Sequence, residues 1–193
     1  MANTAAAEAK EGKAAEAAKA VAVAKPERPI MHPLNTVWTL WFDYSEKKTV
    51  KWEDNLKPLS DVDTVEAWWA AYDRLPKLDT MRKGSNLSLF RKGVRPVFMD
   101  EVHAKGGQYK VQKFTRDSFD AVWLRSTLFC IGEVSVEDSQ HVFGTIASYN
   151  EHGDLKLCEV SLWIDTNEKD EEELVKRLGR FYKHQIGLGE LKT

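Results

Sequence analysis

Residues 38–52 read WTLWFDYSEKKTVKW, and the fold class turns on how that run divides. Residues 37–42 are rich in strand formers and apolar on both faces, which suits a central strand of a sheet. The remainder, continuing as DYSEKKTVKWEDN, is loop sequence, yet it carries Trp52 among charged neighbours. A strand that feeds a tryptophan-bearing loop needs a use for that ring in water.

Working outward, the chain has 193 residues, of which 42% are apolar and 30% charged. That is enough for one domain with its own core and no covalent staples. The formal net charge of -2 argues against a protein that holds nucleic acid mainly by neutralising phosphates, a mode that shows as a basic excess. Any nucleic-acid role must rest on something more local. Cys130 and Cys158 have no Cys-x-x-Cys partner and no His at zinc spacing, so they read as reduced, packed thiols of a cytosolic protein. The compositional excess is aromatic: seven tryptophans, all between Trp38 and Trp163.

Residues 1–25 hold twelve alanines with interspersed Lys and Glu and no aromatic side chain. Such a segment buries too little surface to offset its ordering entropy. Residues 1–29, with Pro26 and Pro29 at their end, are predicted to be a disordered tail and linker, and residues 30–193 the folded domain. The tail suits neither a signal nor a transit peptide, and no apolar run is long enough to span a membrane.

Within the domain, DTVEAWWAAYDRL opens with Asp63 three residues before Glu66, a capping-box spacing, and places Val65, Trp68, Trp69 and Tyr72 at helical intervals. Residues 88–91 and 108–114 read as strands. A second helix is predicted over 115–131. Phe119, Val122, Trp123, Ser126 and Cys130 share one face of it, while Leu124 and Leu128 project from nearly the opposite face. Two leucines outside the core stripe invite a partner. Residues 142–149 and 156–164 follow as strands around the turn NEHGD, and a last helix over 169–185 carries Leu174, Val175, Leu178, Phe181 and Tyr182 as one stripe. The pattern is an antiparallel sheet with helices covering one face, hence α+β.

In order along the chain, HPLNTVWTLWF, the loop residue Trp52, DTVEAWWAAY, SLFRKGVRPVFMDEVHAKGGQY, VWLRSTLFCIGE and GRFYKHQIGL resemble the eukaryotic translation initiation factor 4E family. Its members bind the 7-methylguanosine cap of messenger RNA. The resemblance covers about residues 30–189 and implies a curved antiparallel sheet with three helices on its convex face and the cap site on the concave side. Methylation at N7 gives guanine a delocalised positive charge, so aromatic faces on either side gain stacking and cation-π attraction together, roughly 1–3 kcal/mol per stacked base and about 2 more for a desolvated cation. A few rings can therefore hold a cap without a basic groove.

The resemblance makes Trp52 one slice of that sandwich and puts Phe98 where the family has a second Trp. Met99 falls where a Glu accepts hydrogen bonds from the guanine edge. A thioether is a poor replacement, and Asp100 or Glu101 is expected to serve if the loop is rearranged, Glu101 sharing a face with Met99 in an extended segment. Trp163 matches the Trp that contacts the methyl group, although its strand position equally suits a core residue. The family's phosphate-binding positions fall on Gln108 and Asn150, which leaves neighbouring Lys105, Lys110, His152 and Lys156 as substitutes. The family's C-terminal segment is longer than the few residues after Leu188.

The implied partner surface comprises His32, Pro33, Val65, Trp69, Leu124 and Leu128, with Arg125 where the family has an acidic residue. Trp68 and Trp69 lie about 100° apart on a helix, so Trp68 is assigned to the core and Trp69 to the partner. The resemblance thus implies a monomeric, cytoplasmic, non-enzymatic adaptor without cofactor or metal, linking capped messenger RNA to an initiation factor 4G-type scaffold or a 4E-binding regulator. The alternative is a protein-interaction module on the same fold whose cap affinity has decayed. An enzyme built on Asp100, Glu101 and His103 has no further motif behind it.

Overall fold

The computed structural model describes residues 30–44, 52–97, 106–112, 114–133, 138–149 and 158–188. The chain divides into two units, Met1–Ile30 and Met31–Thr193, and every element named below belongs to the second. The expected disordered tail and the turn NEHGD lie outside the described residues.

Among the described residues six strands form one sheet: β1 (Pro33–Tyr44), β2 (Lys57–Thr64), β3 (Ser85–Arg91), β4 (Gly107–Gln112), β5 (Val142–Tyr149) and β6 (Glu159–Ile164). Their order is β2-β1-β3-β5-β6-β4, and each neighbouring pair is antiparallel. Helices α1 (Val65–Tyr72), α2 (Arg116–Gly132) and α3 (Glu168–Gln185) complete the unit. The architecture is the expected α+β one, a curved antiparallel sheet with three helices.

Alternation along the strands sorts the side chains. Trp38 and Leu40 of β1, Leu87 and Leu89 of β3, Ala147 of β5 and Val160, Leu162 and Ile164 of β6 turn to the helices. There they meet Trp68, Phe119, Val122, Trp123, Cys130, Val175, Leu178 and Tyr182 in one buried cluster. Each fully buried large apolar side chain contributes about 1.5–3 kcal/mol, so this layer holds the fold. Ser126 within it is satisfied: its Oγ donates to Val122 O and stands 2.7 Å from Tyr182 Oη. Burial pushes the Tyr182 hydroxyl and the Cys130 thiol up, and both Cys130 and Cys158 are free and buried.

Three features differ from the sequence expectation. Strand β2 was not predicted, because KPLSDVDT holds a proline and two aspartates; only Val62 of it is buried. As an edge strand it tolerates Pro58, which lies opposite Trp41 where the register shifts. The α1 cap is Thr64 rather than Asp63, its side chain accepting from the Ala67 N–H at 3.1 Å, and Glu66 is released for another contact. Strands β1 and β3 also extend beyond residues 37–42 and 88–91, whereas β4 ends at Gln112 and leaves Phe114 outside the strand.

Candidate functional site

The sheet face turned away from the helices is laid out by register in three cross-strand rows. Thr39, Phe90, Gly144, Trp163 and Gln108 stand opposite one another across five strands. Two residues along, Trp41, Ser88, Ile146, Ser161 and Lys110 form the next row. The third row is wholly polar: Asp43, Asn86, Ser148, Glu159 and Gln112. A cavity of about 170 Å³ opens between the first and third rows, lined by Asp43, Asn86, Ser88, Ser148 and Trp163 together with Pro96.

Trp163 is therefore a resident of the uncovered face, not of the helix-side core. It is only 7% exposed, because its ring meets Phe90 edge to face at 5.7 Å and its Nε1–H donates to Ser161 Oγ at 3.0 Å. Gly144 makes this arrangement possible: a Cβ there would stand 2.3 Å from Leu89 O and 2.6 Å from the Phe90 ring. A bound aromatic or methyl group at the cavity thus meets a Trp held by Phe90 and Ser161.

Asp43, at the other end of the cavity, is equally buried at 7% exposure. Its Oδ2 accepts a 2.9 Å hydrogen bond from Asn86 Nδ2. Desolvation holds the carboxyl above its ordinary range, the Asn86 bond offsetting only part of that. Across the sheet, Glu159 accepts from Gln112 Nε2 at 2.7 Å and pairs with Lys110 Nζ at 3.0 Å. The phosphate candidate Lys110 is thus on the uncovered face, already engaged by a carboxylate. Lys105, His152 and Lys156 lie outside the described residues, as do Phe98, Met99, Asp100 and Glu101. Trp52 opens a 3₁₀ turn, Trp52–Asn55, just before β2. The chain leaves the described structure at Val97, next to the cavity residue Pro96.

The expected partner residues lie on the other side. Trp68 is fully buried, whereas Trp69 is 40% exposed with its ring edge-on to Tyr72 at 5.9 Å, the division expected for adjacent helical tryptophans. Val65 is also exposed. His32 is clipped to the first turn of α1: its carbonyl accepts from Val65 N–H at 2.9 Å, its own N–H donates to Glu66 Oε2 at 2.9 Å, and its Nδ1 stands 2.6 Å from Glu66 Oε1. The hydrogen bonds from the His32 side chain and backbone hold the Glu66 carboxyl down at about 2. Pro33 begins β1 opposite Thr64.

Leu124 and Leu128 are partly buried against the core cluster. Arg125 is committed within the chain: its Nη1–H donates to Ile186 O at 2.9 Å, at the end of α3. Gly187 follows at φ +82°, where any Cβ would stand 2.2 Å from that Nη1. The guanidinium therefore caps a helix end that closes with a left-handed glycine.

Sequence reasoning missed Asp43, its polar row and the Glu66 clip. The signal for Asp43 was a carboxylate set directly after an apolar strand run; the row itself exists only through the register of five strands. Among the described residues, one cavity of about 190 Å³ lies beside Arg125, Leu128, Phe129 and Gln185 on the helical side, and two further ones carry less chemistry than the Asp43 cavity. One, of about 270 Å³, lies beside Tyr72 and Trp123, and its Asp120 accepts from Leu78 N–H. The other, of about 510 Å³, lies between β4 and α3, where Asn167 is occupied capping the helix. Among the described residues no group of acidic, His and Cys side chains has the arrangement of a metal site, and no helix is long and apolar enough to cross a membrane.

Comparison with known proteins gives a consistent result. A family model described as eukaryotic initiation factor 4E matches residues 33–192. Eukaryotic translation initiation factor 4E of Homo sapiens is 34% identical over 169 residues, spanning 86% of this chain and 75% of that protein. Among solved structures, C. elegans eIF4E-3 in complex with the 4E-binding protein Mextli and cap analog superposes with a TM-score of 0.75 at 28% identity, covering 84% of this chain and 89% of that one. Ascaris suum eIF4E-3 in complex with m2,2,7G cap gives a TM-score of 0.75 at 28% identity, covering 84% and 88%.

Proposed function

The chain belongs to the eukaryotic initiation factor 4E family, and from that premise we propose that it binds the 7-methylguanosine cap of messenger RNA on the uncovered face of its sheet. Through its helical side it joins the cap to a factor 4G-type scaffold or a 4E-binding regulator in translation initiation. The observation that carries the reading is Trp163: a large aromatic on the face that none of the described helices covers, locked by Phe90 and Ser161 beside a cavity. The similar C. elegans protein was solved with both a cap analog and a 4E-binding protein, the two classes of ligand proposed here.

In this reading Trp52 and Phe98 sandwich the base, Trp163 meets its methyl group, and Asp100 or Glu101 takes the acceptor role that Met99 leaves vacant. Lys105, Lys110, His152 and Lys156 face the phosphates, with Lys110 exchanging Glu159 for the ligand. His32, Pro33, Val65, Trp69, Leu124, Arg125 and Leu128 receive the partner's helix, Trp69 as its apolar anchor. The protein acts by binding rather than by catalysis, in the cytoplasm.

The test is quenching of tryptophan fluorescence on titration with 7-methyl-GTP and with GTP, backed by capture on cap resin. Quenching by the methylated nucleotide at much lower concentration, abolished in Trp52→Ala, is the expected outcome. The engagement of Lys110 by Glu159 and the Met99 substitution favour one second reading, an interaction module with decayed cap affinity. Wild-type protein that responds to neither nucleotide yet binds a factor 4G-type peptide would establish it in place of the first.

A further inference from the structure

Asp43 is the group at the cavity that the proposed function leaves unused, and its surroundings are unusual for a carboxylate. It is 7% exposed and has one hydrogen bond, from the neutral Asn86 side chain. Among the described residues no other hydrogen bond and no cation reaches it. The lysines Lys110 and Lys92 are each held by carboxylates of their own, Glu159 and Asp61. The other polar cavity residues, Asn86, Ser88 and Ser148, carry no charge.

A carboxylate taken out of water without a cation is costly to the fold, and burial does hold this one above its ordinary range. The arrangement is intelligible if the missing cation arrives with a ligand. Trp163 lines the same cavity, so the site offers an aromatic ring and an unpaired anion together. That combination suits a flat, delocalised cation, which gains from the ring quadrupole and from Coulomb attraction at once. A neutral base gains stacking only.

We propose that Asp43 is a specificity-determining residue that selects the N7-methylated base by its positive charge, Asn86 holding the carboxylate in place. The proposal rests on the cap-binding reading and deepens it, assigning discrimination between methylated and unmethylated guanine in part to a buried anion on β1. A neutral replacement of the same shape leaves stacking intact and removes the charge.

The experiment is titration calorimetry of wild type and Asp43→Asn with 7-methyl-GTP and with GTP at one ionic strength, with thermal melts to establish that the variant is folded. Affinity for 7-methyl-GTP is expected to fall by roughly tenfold, while that for GTP changes less than about twofold, so the preference for methylation collapses. Equal losses for both nucleotides would show that Asp43 accepts a hydrogen bond from the base or only shapes the cavity; no loss for either would show that it faces no ligand. Each of these overturns the proposal while leaving cap binding by the wild type standing. If the wild type binds neither nucleotide, the cap-binding reading fails first and this inference with it.

Discussion

The two faces of the sheet are made by the same strands, residue by alternate residue, yet they are different materials. On one, Trp38, Leu40, Leu87, Leu89, Val160 and Leu162 are buried against the helices. On the other, the same strands present Asp43, Asn86, Ser88, Ser148 and Glu159 beside Trp41, Phe90, Ile146 and Trp163. Stability resides mainly in the first face, and the proposed ligand chemistry in the second. Separating them by strand alternation lets a binding site carry a buried anion and an open cavity without weakening the core. A further consequence is that the seven tryptophans do not share one task. Trp38, Trp68 and Trp123 are core, Trp69 is exposed on the helical side where a partner is proposed, and Trp163 lines the cavity proposed to take the cap.

The sharpest way to break this comparison is to remove a tryptophan from each face. Trp123→Ala empties a fully buried position and should cost about 3–5 kcal/mol, enough to lower the urea midpoint severely and take both binding activities with it. Trp163→Phe shortens a ring on the other face and forfeits the Nε1 hydrogen bond to Ser161. It should cost about 1 kcal/mol of stability while weakening 7-methyl-GTP several-fold. If the two variants prove equally unstable, the second face is core in disguise and the division fails.

How far the sequence carried this division depends on distance along the chain. Features set within one helix or strand were legible: the 115–131 helix against the observed Arg116–Gly132, strand β5, and Trp68 inside with Trp69 outside. Edge strand β2 was not, because an edge needs neither β-branched residues nor donors at every position, and a proline costs little there. Which face Trp163 occupies could not be read either, since both sides of β6 are buried. The polar row from Asp43 to Gln112 joins residues up to 116 positions apart in sequence, as the pairing of β1, β3, β5, β6 and β4 brings them together. The second ring Phe98, Met99 and the acceptor candidates Asp100 and Glu101 lie outside the described residues.

A second test concerns the helical layer itself. Arg125 stands where the family has an acidic residue, and it donates to the carbonyl of Ile186 at the end of α3. Arg125→Glu replaces that donor with an anion at the negative end of a helix, where unfavourable dipole interaction adds to the lost bond. A stability loss of about 1 kcal/mol is expected by urea unfolding, and Arg125→Met should lose less. Binding of a factor 4G-type peptide carrying a basic residue is expected to improve in Arg125→Glu, as like-charge repulsion is removed. A gain for Arg125→Met as large as for Arg125→Glu would indicate that bulk rather than charge decides.

Asp43 provides a smaller effect of opposite sign. Its folded value is raised above the ordinary 3.8 by burial, so its protonated form is the one the fold prefers. The stability tied to this group is fully present below the unfolded value and is lost as pH rises through the folded one, which leaves the ionised group a net burden at pH 7. Asp43→Asn should therefore raise the melting temperature at pH 7, by about 1–3 °C, and narrow the difference from wild type below pH 4. A variant that is more stable yet discriminates methylated guanine less well would show that the anion is kept for the ligand. A lower melting temperature at pH 7 would mean that Asp43 holds β1 to β3 through Asn86 and serves the fold first.

The smallest stability change is expected where the contact is most exposed. Glu66 clips His32 through its backbone N–H and ring, and those bonds hold its carboxyl down at about 2 from an ordinary 4.5. The stability linked to a depressed carboxyl is present above the unfolded value and disappears as pH falls toward the folded one, so it vanishes between roughly pH 4.5 and pH 2 and leaves neutral pH untouched. Because both side chains stand in water, screening keeps the contribution minor. Glu66→Gln should then leave the thermal midpoint at pH 7 nearly unchanged. The clip matters instead for order: His32 and Pro33 are held beside Val65 on the proposed partner surface, and a segment that must be ordered on binding costs affinity. Calorimetry with a factor 4G-type peptide is expected to show about a two- to threefold loss for Glu66→Gln, with 7-methyl-GTP affinity unaltered. Peptide affinity equal to wild type would place the partner's contacts on Trp69, Leu124 and Leu128 alone, and remove His32 and Pro33 from the surface.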